Sequence, residues 1–131
     1  MATKPGKVIR EPNDQLTTNF FRSEFCCRCG CGLDNIDIGI VNRLQVFRDI
    51  LKEPIIINSA CRCPEHNKKV GGKPESYHLK KNGCKAIDWT IKDKEKLRRF
   101  GAFMDELWSG GWHYYPEEKF IHSDTGPRRR W

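Results

Sequence analysis

The chain has four histidines, His66, His78, His113 and His122, and two of them, His78 and His122, fall near aspartates on segments that read as strands, Asp88 and Asp124. A catalytic zinc takes about three protein ligands from imidazole, carboxylate or thiolate and keeps a position open for water, which it acidifies into a nucleophile. His78, Asp88 and His122 supply such a ligand set. Lys85 to Ile91 alternates, with Ile87, Trp89 and Ile91 on one face, so Asp88 points away from the apolar side. In Phe120 to Asp124 the same period of two puts His122 and Asp124 on one side, where one can bind metal while the other handles protons.

Cysteine is the second reactive group. Seven cysteines cannot all pair internally, and four of them crowd together at Cys26, Cys27, Cys29 and Cys31. Neighbours that close make strained disulfides with each other, so the cluster reads as free thiols, a metal site, or bridges to Cys61, Cys63 or Cys84. A structural zinc normally wants Cys-x2-Cys pairs, which Cys26/Cys29 and the offset Cys61/Cys63 supply only in part. Thiols or disulfides serving structure are therefore the expectation, with one zinc per chain at the histidines.

These side chains need elements to hold them. Ile40, Val41, Leu44, Phe47, Ile50 and Leu51 recur at helical spacing between a capping Asp37 and Pro54. Ile55, Ile56 and Ile57 form a short buried strand that leads into a loop with Pro64, Gly71, Gly72 and Pro74. Leu97, Phe100, Phe103, Met104, Leu107 and Trp108 mark one further helix after Asp93, stopped by Gly110 and Gly111. The aromatic stretch Trp112, Tyr114 and Tyr115 reads as core or hairpin before it reads as a cleft wall. The order of elements predicts an α+β domain with a small, mostly antiparallel sheet and helices packed on it.

At 131 residues the chain is one domain, here 19–131 behind a polar arm at 1–18 that contains Pro5 and Pro12. With 37% hydrophobic and 31% charged residues it is neither disordered throughout nor a membrane protein. Met1 to Arg10 carries charge where a signal peptide needs an apolar stretch, so no Sec export signal is expected. The net charge of +7 favours anionic partners, among them nucleic acid and anionic wall polymer. The run Arg128, Arg129 and Arg130 reads as a solvated terminus.

Two segments carry a family resemblance. Ser59-Ala60-Cys61-Arg62, followed by Asn67, Gly71, Gly72, Ser76 and His78, resembles the zinc D-alanyl-D-alanine carboxypeptidases and related peptidoglycan peptidases, the LAS-type metallopeptidases. There an arginine turn leads through an Asn and Gly-Gly loop to an SxHxxGxAxD motif. The closing stretch from Phe120 through His122, Asp124 and Gly126 to Arg128 is similar to the HxDxG ending of one branch, and Trp131 matches its terminal aromatic. The resemblance implies a hedgehog/D-Ala-D-Ala-peptidase-like fold, His78, Asp88 and His122 as zinc ligands, and Arg62 on a substrate carboxylate or carbonyl. Ser76 would steady the ligand loop.

Two departures qualify that match. Nine residues separate His78 from Asp88 where the family has six, which lengthens a loop and sets Cys84 beside the site as a thiolate ligand or a disulfide partner of Cys61. Lys119 stands where many relatives carry a carboxylate, three residues before the third ligand. Asp124 is the preferred base, with Glu118 and then His113 behind it. An exchange of roles, Asp124 on zinc and His122 moving protons, stays open.

The function expected is zinc-dependent hydrolysis of peptide bonds in peptidoglycan stem or cross-link peptides, as carboxypeptidase or endopeptidase, by a monomer with no specific nucleic-acid or membrane partner. Its place of action would be the bacterial cell wall, reached by lysis or in a virion as in endolysin-like phage relatives, or by export if a leader is missing here. The rival is a non-catalytic, zinc-containing wall-binding or virion structural module of the same fold.

Overall fold

The computed structural model describes residues 14–128, and its longest helix, α1 (Ile38–Leu51), begins where the sequence places it. The Asp37 carboxylate accepts the Ile40 amide at 3.3 Å, and Lys52 ends the helix in the left-handed region. Ile40, Val41, Leu44, Phe47 and Leu51 are buried, while Ile50, expected on that face, is 52% exposed. Four strands follow, β1 (Ile55–Ser59), β2 (Ala86–Ile91), β3 (Trp112–Tyr115) and β4 (Phe120–Asp124), in the sheet order β1-β2-β4-β3. All neighbours are antiparallel, and the domain is α+β.

The register gives the sheet two different faces. Ile57 pairs with Trp89, Trp89 with Ile121, and Ile121 with Tyr114, so one face is a row of apolar groups. It packs on α1, where Phe47 meets Trp89, Phe100 and Trp108 at ring separations of 5.8, 5.0 and 5.6 Å. On the opposite face Asp88 pairs with His122, which pairs with His113. A bulge in β1 between Ile57 and Ser59 brings Ser59 opposite Asp88, so β1 serves the core first and the polar face second.

Two elements differ from expectation, while the stretch from Trp112 to Tyr115 takes the core and hairpin role expected of it. The region after Arg62, expected as loop, contains α2 (Pro64–Lys69), with Pro64 at its first turn, where a missing N–H costs nothing, and the Cys63 sulfur accepting the His66 amide. The single helix expected through Trp108 is two, α3 (Lys94–Gly101) and α4 (Met104–Leu107). Leu97, Phe100, Met104 and Trp108 stay buried across the break, but Phe103 and Leu107 turn to solvent, and Gly101 is a poor helix former at the junction. Strand β3 completes a hairpin with β4, which places Trp112 and Tyr114 against the core and leaves Tyr115 on the polar face.

Of the expected arm, residues 1–13 lie outside the described residues, as do Arg129, Arg130 and Trp131 of the tail. Thr17 and Asn19 both donate to the Gln45 side chain on α1, at 2.7 and 2.9 Å. The loop lengthened between His78 and Asp88 closes through a single 3-10 turn at Lys80–Asn82 and a left-handed Gly83. Cys84 enters the core and donates to Asn35, so the insertion stays away from the histidines. Among the described residues no helix is long and apolar enough to cross a membrane.

Candidate metal and peptidase site

The antiparallel register sets Asp88 and His122 side by side, and the loop before β2 brings His78 to meet them. One ligand atom from each of the three lies within 4.8 Å of the others. Asp88 Oδ1 is 3.3 Å from His78 Nε2 and 2.8 Å from His122 Nδ1, and the two rings meet edge to face at 5.3 Å. Their remaining nitrogens are engaged from behind. His78 Nδ1 lies 2.6 Å from the Ala60 carbonyl, which can only accept, so Nδ1 carries the proton and Nε2 presents its lone pair. His122 Nε2 is 2.8 Å from Asp124 Oδ2.

Burial pushes His78 below the ordinary imidazole value against the attraction of Asp88. Burial would lower His122 too, but its hydrogen bonds to Asp124 and Asp88 outweigh that and raise it. Burial would raise Asp88, and its electrostatic interaction with His78 together with the hydrogen bond from His122 instead holds it well below the usual carboxylate range. A neutral imidazole, an ionised carboxylate and an imidazole backed by a second carboxylate are a donor set suited to a divalent metal.

Arg62 reaches the same cluster from the turn after β1. Its Nη2 is 3.3 Å from Asp88 Oδ2, Nε donates to Ser59 Oγ at 3.0 Å, and Nη1 donates to Asn67 Oδ1 at 3.1 Å. Burial lowers its pKa although Asp88 favours its charge. Asn67, assigned no role from its sequence position, is buried and also donates to the Lys73 carbonyl. Gly72 is required beside it, since a Cβ there would stand 2.0 Å from Asn67 Oδ1. Ser76 Oγ accepts the His78 amide at 3.1 Å.

A cavity of about 570 Å³ opens over the triad, with Arg62, Gly72, Tyr115, Glu118 and Phe120 in its wall. Asp124 does not line it. That side chain is fully buried on the far side of the His122 ring and also accepts the Gly126 amide at 3.0 Å. His113 is beside His122 in the sheet yet outside the cavity lining, and burial lowers its pKa. Lys119 sits at a left-handed position in the β3–β4 turn, immediately after Glu118. Cys84 is not part of the metal-competent group. It lies by Cys61 in the core, both thiols are free, and contact with Cys84 together with burial pushes the Cys61 thiol up.

Residues 18–124 match the family described as peptidase M15. The chain belongs to that family. It is 30% identical over 108 residues to the peptidoglycan L,D-endopeptidase MepK of Escherichia coli strain K12, a match covering 76% of this chain and 56% of that protein. It is 27% identical over 117 residues to the probable peptidoglycan L,D-endopeptidase MepK of Haemophilus influenzae, covering 89% of this chain and 54% of that protein. The chain thus spans about half the length of the curated relatives it matches. No solved structure matches it significantly.

Proposed function

We propose that the chain is a zinc-dependent peptidase that hydrolyses peptide bonds in the stem or cross-link peptides of peptidoglycan. One observation carries this reading: a His-Asp-His ligand set, its tautomers fixed from behind, faces a cavity that also holds an arginine and a carboxylate. Family membership and the names of the relatives support the peptide substrate, and those names favour internal cleavage over release of a terminal residue. The place of action in this reading is the bacterial cell wall, reached by lysis, in a virion or by export.

His78, Asp88 and His122 would hold zinc through Nε2, a carboxylate oxygen and Nδ1. Zinc bound there supplies a Lewis acid for the scissile carbonyl and acidifies a water. The protein's own groups do the rest. The Ala60 carbonyl fixes the His78 tautomer and Asp124 fixes His122, as carboxylates behind ligating imidazoles do. Asp124 is thereby a positioning residue, and we move the proton-transfer role expected of it to Glu118, which lines the cavity. Arg62, set by Ser59 and Asn67, offers its fork to a substrate carboxylate or carbonyl and offsets negative charge in the transition state.

Metal analysis and peptidoglycan digestion of the natural protein beside His78→Ala, Glu118→Gln and Asp124→Asn test this. The reading expects His78→Ala to lose the site's zinc and turnover, Glu118→Gln to keep zinc and lose turnover, and Asp124→Asn to need more zinc for the same rate. Zinc-loaded Asp124→Asn without turnover, beside an active Glu118→Gln, would return the base to Asp124. A zinc-loaded natural protein that binds wall material and cuts none of it would establish the binding-module alternative.

A further inference from the structure

A second cluster of metal-ligating side chains lies outside the cavity. Cys27, Cys29 and Cys31 belong to the loop after a 3-10 turn at Arg22–Phe25, and Cys63 precedes α2. Their four sulfurs all lie within 4.8 Å of one another. Cys27 Sγ is 3.4 Å from Cys29 Sγ and 3.9 Å from Cys63 Sγ, and Cys29 and Cys63 are 3.7 Å apart. A disulfide needs about 2.05 Å. A tetrahedron of thiolates around zinc, with Zn–S near 2.3 Å, places its sulfurs about 3.8 Å apart.

From this convergence we infer that Cys27, Cys29, Cys31 and Cys63 form a second, structural zinc site with four thiolate ligands.

Apolar packing does not account for the grouping, because Cys29 and Cys31 are exposed. The backbone is shaped for it: Gly30 and Gly32 take φ of 85° and 90°, which lets three cysteines at alternate positions curl around one point. Amides point at the sulfurs, Cys63 N donating to Cys27 Sγ and His66 N to Cys63 Sγ, both at 3.4 Å, and such bonds favour the thiolate form. Arg28 fastens the loop to the sheet by donating to the Glu24 and Ile57 carbonyls at 2.7 and 2.9 Å. The other three cysteines turn elsewhere, Cys26 toward Arg28 and Cys61 and Cys84 into the core. Four protein ligands leave no open position, so the site is structural. Cys63 follows Arg62 and caps the helix that carries Asn67, so the metal ties the N-terminal loop to the segment that holds Arg62 over the cavity. The inference stands independently of the peptidase reading.

The test is zinc content of the full-length protein, purified with reductant and zinc, with three cysteine variants and His78→Ala. The expected result is two zinc per chain in the natural protein and in Cys26→Ser, falling to one in Cys63→Ser and Cys29→Ser. In His78→Ala the remaining zinc should show an all-sulfur shell by X-ray absorption. If the cysteine variants do not fold, a mercurial thiol reagent added to the natural protein should release one zinc, read with a zinc indicator. Zinc content unchanged in folded Cys63→Ser and Cys29→Ser, no zinc released by the mercurial, iron in place of zinc, or a disulfide among the four cysteines in the reduced protein would each overturn the proposal.

Discussion

The two clusters hold their ligands by opposite means. Asp88 and His122 are set side by side by a sheet and His78 is brought to them by the loop before β2: the three side chains are inside the protein, His78 is 2% exposed, and one side is left open to a cavity. The four sulfurs of Cys27, Cys29, Cys31 and Cys63 are assembled by a loop near the surface, held by turns and amides. Where core packing already fixes the ligands, a metal is available for chemistry. Where packing is thin, the metal itself must supply order, because its binding free energy becomes folding free energy. The first site should therefore fail in turnover before stability, and the second in stability before turnover.

The largest effect should come from His78→Ala. It removes a ligand of the proposed zinc, which would contribute several kcal/mol to the transition state, so kcat/KM should drop by more than about a thousandfold. Steady-state assays with matched metal analysis check this, and an equal loss from Cys63→Ser would erase the contrast between the sites. Next comes Glu118→Gln, expected to lower kcat roughly 10²- to 10⁴-fold with bound zinc and Tm unchanged. Retained activity would remove Glu118 from proton transfer.

On the other side of the contrast, Cys63→Ser should cost about 3 kcal/mol of stability, a fall in Tm of roughly 12 °C for a domain of this size. Thermal melts of zinc-loaded protein measure this. The smallest effect is on Asp124→Asn, which should weaken zinc affinity at the triad by roughly 10- to 100-fold and leave kcat at saturating zinc near that of the natural protein. Competition with a zinc chelator of known affinity reads the first quantity.

Much of the sheet-borne site was legible in the sequence because strands announce their faces. The alternation in Lys85 to Ile91 and Phe120 to Asp124 put Asp88 on the polar side and His122 beside Asp124, and the register places them so. The period of two could not say which of His122 and Asp124 meets the cavity. That depends on Asp124 pairing with Ala86, two positions past the Asp88–His122 pair and behind the imidazole. Glu118 was hard to favour because its place follows from the β3–β4 turn, and half-buried Trp112 to Tyr115 gave only a faint strand signal. Pro64 suggested loop, although proline suits a helix's first turn as well. The sulfur cluster was the least legible, since Cys63 lies far along the chain and the loop's curl depends on two left-handed glycines rather than on any Cys-x2-Cys spacing.

The bulge at Ile57 and Ser59 also sets how the site can vary. Asn58 is the extra residue, and it inverts the phase of β1, so that isoleucines alternate on one beat and Ser59 falls on the other. Were Asn58 paired with Asp88 in a regular strand instead, every chemical group would remain, yet the hydroxyl that holds Arg62 would pass to the hydrophobic face. The placement of Arg62 thus rests on a single syncopated residue in an otherwise regular ladder.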